Sequence, residues 1–410
     1  MDSPAFRAIV SLTLQAVLLT GAYLLTTTGL ALPPTLAGLR VYGPFAALAA
    51  AGAIALWFNR GRAALACACL WVAYLSYFGL LVTKADAATS RFVFVTLSCF
   101  VPANLALFSL LAERGVLNAY GLRRILVIAT EVAIGYALLL NDGTGLADAL
   151  AAPLIKAAWL KGVVVPQWAL LIMALSLSAT AGRALLDGSA IDSAVVGVVV
   201  AYGLACQHVG QPTTYGLYMS TAALALVIGV LQTSYRMAFH DELTGLPSRR
   251  SLNERLLGLG RHYTIAMLDV DHFKKFNDSY GHDVGDQVLK MVAAKLRQVG
   301  AGGRAFRYGG EEFALIFSGR SVRQVLPELE SLREQVAQHR MALREPDRPV
   351  EAEVGRTLRT GSQGRRTVTV TVSIGVAERD DKLTTPDEVL KSADRALYRA
   401  KDKGRNQLSR

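Results

Sequence analysis

RYGGEEFALIF, Arg307 to Phe317, is an apolar strand-like run entered through two glycines and two glutamates, Glu311 and Glu312. Gly-Gly between such runs is what a tight hairpin uses where its turn residues take positive φ. By itself the stretch reads as a hairpin and no more. Its neighbours add chemistry. Upstream, YTIAMLDVD, Tyr263 to Asp271, is a β-branched and apolar run ending in two acids separated by one residue. Strand alternation puts Asp269 and Asp271 on one face at the C-terminal end, where open α/β sheets bind ligands.

Between these strands, His272 to Leu296 opens as a polar loop carrying Lys274, Asn277, Gly281, Asp283, Gly285 and Asp286. It closes as a helix with an apolar stripe at Val284, Val288, Leu289, Val292 and Leu296. Asp271 and Asp283 read as solvated loop acids or turn caps. An amphipathic helix is expected near Val322 to Met341, then a long basic loop, Arg344 to Arg366, then a strand from Thr367 to Ala377. The last helix is announced by Thr385, Pro386 and Glu388, a capping box with proline in the first turn, and Gly404 ends it. Before all of these, DELTGLPSRRSLNERL, Asp241 to Leu256, reads as a turn followed by a helix with Ser248 at its N-cap. Strands alternating with helices, plus one hairpin, predict an α/β (α+β) domain with a mostly antiparallel central sheet.

The other half of the chain is of a different kind. Of the 410 residues 52% are hydrophobic and only 18% charged, and the mean hydropathy is +0.34, too apolar for an ordinary soluble domain of this size. The excess lies between Phe6 and Tyr235, where about eight runs reach bilayer-spanning length. They are Phe6–Leu30, Tyr42–Phe58, Ala63–Val82, Phe92–Leu111, Ile125–Leu140, Gly162–Ala181, Ala194–Cys206 and Tyr215–Tyr235. Arg60, Arg62, Arg114, Arg123, Arg124, Arg183 and Arg236 fall on one side, so both termini are expected in the cytoplasm of a multi-pass inner-membrane protein. Residues 1–235 thus read as an all-α polytopic membrane region, a sensor or anchor, and residues 236–410 as a cytosolic domain. Cys67, Cys69, Cys99 and Cys206 all lie in apolar runs without metal-ligand spacing and read as packing residues. The net charge of +11 needs no nucleic acid, since basic inner loops and the Arg340 to Arg366 stretch suit anionic lipid heads. Glu131, the one acid inside an expected span, is either an intramembrane functional group or a helix-end acid facing Arg123 or Arg124. His208 reads as a packing histidine or a sensor.

DELTGL, LDVDHFKKFND, YGHDVGD, RYGGEEF, VSIGVA and ALYRAKDKGRN, in this order, resemble the GGDEF-domain diguanylate cyclases across Asp241 to Gln407. The resemblance implies condensation of two GTP into cyclic di-GMP with release of two pyrophosphates, by a homodimer in which each domain holds one nucleotide. It implies Mg²⁺ or Mn²⁺ on Asp269, Glu311 and the Val270 carbonyl, with Glu312 a further candidate ligand. Glu311 also stands as the group that helps deprotonate the attacking hydroxyl. Gly309 and Gly310 would let backbone approach the nucleotide, Asn277 and Asp286 would read guanine, and Lys274, Lys401 and Arg405 would bind phosphate. Lys401 alone would otherwise read as a helix-end charge suited to the macrodipole. At the positions of the family's RxxD inhibitory site this chain has Gly300 and Gly303, so product feedback of that type is not expected, and no phosphodiesterase domain is expected after Gly404. A catalytically silent GTP-binding regulatory module coupled to a membrane receptor is the competing reading.

Overall fold

The computed structural model describes residues 4–28, 37–141, 145–156, 158–342 and 367–410; the Arg344 to Arg366 stretch therefore lies outside the described residues. Two compact units divide the chain, Met1–Tyr235 and Arg236–Arg410.

In the first unit the apolar runs are helices: α1 (Pro4–Thr27), α2 (Ala37–Trp57), α3 (Gly61–Thr83), α4 (Ala87–Leu110), α5 (Ala119–Leu140), the short α6 (Gly145–Ala151), α7 (Gln167–Asp187), α8 (Ala190–Gln207) and α9 (Pro212–Phe239). By length and composition α1, α3, α4, α7, α8 and α9 suffice to cross a membrane; α5 does so taken with α6, and α2 contributes a shorter apolar helix, Val41–Trp57. The helix expected from Gly162 instead starts at Gln167, because Pro166 stands at its N-cap. The shortest expected span, Ala194–Cys206, belongs to α8, the most buried of the long apolar helices. All four cysteines are buried and free.

A buried ion cluster joins four helix ends. The Asp192 carboxylate, fully buried at the start of α8, accepts from Arg62 Nη1 at 3.1 and 3.3 Å and from Ser109 Oγ at 3.1 Å, with Arg183 Nε at 3.5 Å. Arg62 Nε and Arg183 Nη1 donate to the carbonyls of Leu111 and Leu110 at the end of α4. Arg62, read from the sequence as an inner-loop charge, is buried because the Asp192 carboxylate and the Leu111 carbonyl replace its water. Glu131 likewise faces neither Arg123 nor Arg124. It accepts from Asn104 Nδ2 of α4 at 2.5 Å, while Arg124 donates to the Ala112 carbonyl and Arg123 lies over the Tyr120 ring. His208 caps α8, its Nδ1 at 2.9 Å from the Leu204 carbonyl and its ring beside Tyr218, the packing arrangement.

The second unit contains α10 (Arg249–Leu257), β1 (Tyr263–Val270), α11 (Phe273–Tyr280), α12 (His282–Leu296), β2 (Arg304–Gly309), β3 (Glu312–Ser318), α13 (Val322–Ala337), β4 (Met341–Ala342), β5 (Thr367–Val368), β6 (Val372–Glu378), α14 (Pro386–Asp402) and β7 (Leu408–Ser409). The five-stranded sheet runs β2-β3-β1-β6-β7, antiparallel except for the β6–β7 pair; β4 and β5 pair separately. Alternation sorts the central strand β1 between two cores. Ala266, Leu268 and Val270 pack toward α12 and α13, while Tyr263, Ile265 and Met267 pack toward α10 and α14. α14 crosses β6 so closely that a Cβ on Gly375 would lie 2.0 Å from the Leu397 nitrogen. Its capping box is present as read, Thr385 and Glu388 each bonding the other's backbone N–H.

Two readings give way here. The segment after Asp271 is not a loop: α11 forms, with buried Phe273 and half-buried Phe276 as its only apolar anchors, too few for a periodic signal. Met341 belongs to β4 and not to α13.

Replacing Asp192 by Ala is expected to lower the stability of the helical unit by about 3–5 kcal/mol, since it strands the buried Arg62 guanidinium. Thermal unfolding of the full chain in detergent reads this out, and a change below about 1 kcal/mol would mean the cluster is solvated.

Candidate active site

Period-2 alternation sends Asp269, the penultimate residue of β1, to the face covered by α14. There its buried carboxylate meets Lys401 Nζ at 2.9 Å. Cross-strand pairing sets Glu312 directly opposite Asp269 and Ser373 on its other side. The hairpin turn consists of Gly310 and Glu311, since Gly309 already pairs with Glu312. Glu311 is thus in the turn rather than after it, and only Gly310, at φ +41°, uses glycine's freedom. The Glu311 carbonyl accepts from Val270 N at 3.3 Å, tying the turn to the end of β1.

Asp269, Glu311, Lys274, Lys401 and Arg405 line one open pocket of about 360 Å³, together with His272, Phe273, Lys275 and Asp278. Gly309, Gly310, Glu312, Asn277 and Asp286 are not on its lining. Asn277 lies on α11 against Gly285 of α12, where a Cβ would come within 1.9 Å of its Oδ1; that oxygen is buried without a hydrogen-bond partner. Asp286, the next residue, is exposed.

Charge is unbalanced at the strand end. Burial raises the Asp269 carboxyl above its ordinary value even with Lys401 beside it. Burial, then the Asp269 charge, likewise raise Glu311 and Glu312. Among the described residues no three His, Cys, Asp or Glu side chains converge as a ready metal cage. Two neighbouring carboxylates and a strand-end carbonyl suit an ion that takes its remaining ligands from substrate phosphate, as Mg²⁺ does.

Two supports escaped the sequence reading. Asp271 is buried, not solvated: its carboxylate accepts from Thr371 Oγ1 at 2.7 Å, Ser373 Oγ at 2.6 Å and Asn406 N at 3.0 Å. It thereby holds the turn in which Arg405 and Asn406 both take positive φ, and so holds Arg405 at the pocket. Arg307 grips the hairpin, donating from Nε and Nη2 to the Gly310 carbonyl at 3.2 and 2.6 Å and from Nη1 to Asp241 at 2.7 Å. Asp241 also accepts from Thr244 N and Oγ1. The only sequence signal was an Arg beside the glycines and an Asp opening DELTGL, which lie 66 residues apart.

A family model described as "Diguanylate cyclase, GGDEF domain" matches residues 238–366 and 350–407. The solved coiled coil and GGDEF domain of DgcB from Caulobacter crescentus, in complex with c-di-GMP, is 34% identical over 44% of this chain and 88% of that one, with a TM-score of 0.37. Residues 238–407 are a GGDEF domain. The response regulator PleD of Caulobacter vibrioides is 35% identical over 184 residues, 43% of this chain and 37% of its own length. The diguanylate cyclase VdcA of Vibrio cholerae is 34% identical over 177 residues, 42% of this chain and 46% of its own. The chain thus spans less than half the length of each of these two relatives.

Burial works to raise the Asp241 carboxyl, but its bonds from Thr244 and Arg307 outweigh burial and hold it below the ordinary value of 3.8. Its contribution to the stability of the GGDEF domain is therefore complete above that value and is lost as pH falls through the lower folded-state one. The stability gap between wild type and Asp241→Asn, followed by urea unfolding from about pH 6 to about pH 2, is expected to stay flat and then close. A gap that widens on acidification would contradict the Arg307 tie.

Proposed function

We propose that this chain is a membrane-bound diguanylate cyclase that condenses two GTP into cyclic di-GMP across a homodimer. Residues 1–235 form its polytopic anchor and sensor, both termini are cytoplasmic, and the GGDEF domain is the catalyst. The observation that carries the reading is the buried Asp269 carboxylate, matched to Lys401 and flanked by Glu311, at the mouth of a pocket lined with cations. That is the donor set a nucleoside triphosphate requires.

In each half-reaction a ribose 3′ oxygen forms a bond to the α-phosphorus of the other nucleotide while the α–β anhydride breaks, releasing pyrophosphate. Asp269, Glu311 and the Val270 carbonyl would hold Mg²⁺ or Mn²⁺, which supplies neutralisation of the triphosphate and acidifies the attacking hydroxyl. Lys274, Lys401 and Arg405 bind the phosphates and take up the charge that develops on the leaving pyrophosphate. Glu311 accepts the proton of the attacking hydroxyl. Asn277 and Asp286 read guanine. The unpartnered Asn277 oxygen supports this assignment, because a buried acceptor without a bond costs free energy that a base edge would restore.

Feedback through an RxxD-type site is absent in this reading. Gly300 and Gly303 stand there, and a Cβ on either would fall 2.4 Å from Glu328 Oε2 or 2.6 Å from the Phe317 ring.

Purified full-length protein with GTP and Mg²⁺ is expected to yield cyclic di-GMP by mass spectrometry, and Glu311→Ala to lose at least about a thousandfold in kcat. GTP binding without turnover by a forced dimer of the wild type would instead select the silent regulatory module. Added cyclic di-GMP is expected to leave kcat unchanged; saturable non-competitive inhibition would refute the absence of feedback.

A further inference from the structure

The helices α3, α4 and α5 line a second, open-sided cavity of about 200 Å³, whose lining is apolar apart from a few groups. Glu131 of α5 and Asn104 of α4 supply its charge and its amide; Phe92, Phe100 and Tyr136 supply aromatic walls. The carboxylate has one bond, from Asn104 Nδ2, and no ion pair to it exists among the described residues. Arg124, two turns earlier on α5, donates from Nη2 to the Ala112 carbonyl and makes no ion pair with Glu131. Gly135 also lines the cavity, and a Cβ built there meets nothing within 4 Å. α5 is the most loosely held of the long helices, with Gly121, Arg124 and Ile128 as its buried residues among those described, so the cavity lies beneath the element that can most readily move aside.

A carboxylate in an apolar setting without a counter-charge is costly, and the cost is relieved when a cation with N–H donors comes to it. Aromatic faces around such a point attract the same ion. The volume accommodates one ring and a short chain, below the size of ordinary cofactor pockets. From these features we propose that the cavity is a binding site for a small lipophilic amine, its ammonium on Glu131 and its apolar part against Phe92, Phe100 and Tyr136. The proposal rests on the membrane reading of residues 1–235, since in water the carboxylate would need no partner.

The test uses the full-length protein in nanodiscs, with integration checked by resistance to alkaline extraction, and tritiated 2-phenylethylamine as the probe. Wild type is expected to bind it saturably, and unlabelled 2-phenylethanol, its neutral counterpart, to compete poorly. Glu131→Gln keeps an acceptor for Asn104 and removes only the charge; it is expected to weaken binding at least about tenfold with little change in Tm. Gly135→Leu fills the cavity at a helical site that favours a side chain and is expected to abolish binding while the protein stays folded. Absence of saturable binding by integrated wild type, equal competition by the alcohol, or unchanged affinity in both variants would overturn the proposal and leave Glu131 and Asn104 as a packing tie. Failure to integrate would overturn the membrane reading and this inference with it.

Discussion

A carboxylate buried at the end of a central strand must be matched by positive charge, and in the GGDEF domain that requirement organises what surrounds Asp269. Its cation comes from α14, whose Lys401 reaches it because the helix lies almost on the backbone of β6 at Gly375. Any side chain at Gly375 would lift the helix and separate the pair. The apolar stripe of α14, Val389, Leu390, Ala393 and Leu397, therefore does more than fill a core. It fixes the distance between an acid and a base at a pocket mouth, so that packing energy becomes electrostatic geometry.

The second layer consists of side chains that hold backbone in place. Arg307 closes on the Gly310 carbonyl and on Asp241, while Asp271 gathers two hydroxyls and the Asn406 N–H. One clamps the hairpin that carries Glu311; the other clamps the positive-φ turn that carries Arg405. Neither Arg307 nor Asp271 lines the pocket. Their effect is preorganisation: the charged groups stand at their stations without a search through rotamers and loop conformers.

Much of this was legible from residue order. Period 2 in β1 put Asp269 at the strand's end, the capping box of α14 fixed where that helix begins, and the glycine pair marked the hairpin. What escaped was either short or long-range. α11 has two apolar anchors in eight residues and so carries no periodic signal. The burial of Asp271 depends on Thr371, Ser373 and Asn406, residues 100 to 135 positions away. The burial of Arg62 depends on Asp192 in the same manner, 130 positions away. A charged residue's sequence neighbourhood does not reveal whether distant chain will replace its water, whereas strand alternation and caps are settled within a few residues.

The Asp192 cluster bears on how the helical unit is made. Arg62, Ser109 and Arg183 all precede Asp192 in the chain. Synthesis from the N-terminus therefore presents this carboxylate only after each of its partners exists. If the helices enter a bilayer in order, α8 can be accepted as a partner to elements already there, whereas alone its acid would oppose insertion. The cluster thus ties the unit's assembly to the direction of translation as well as to its final form.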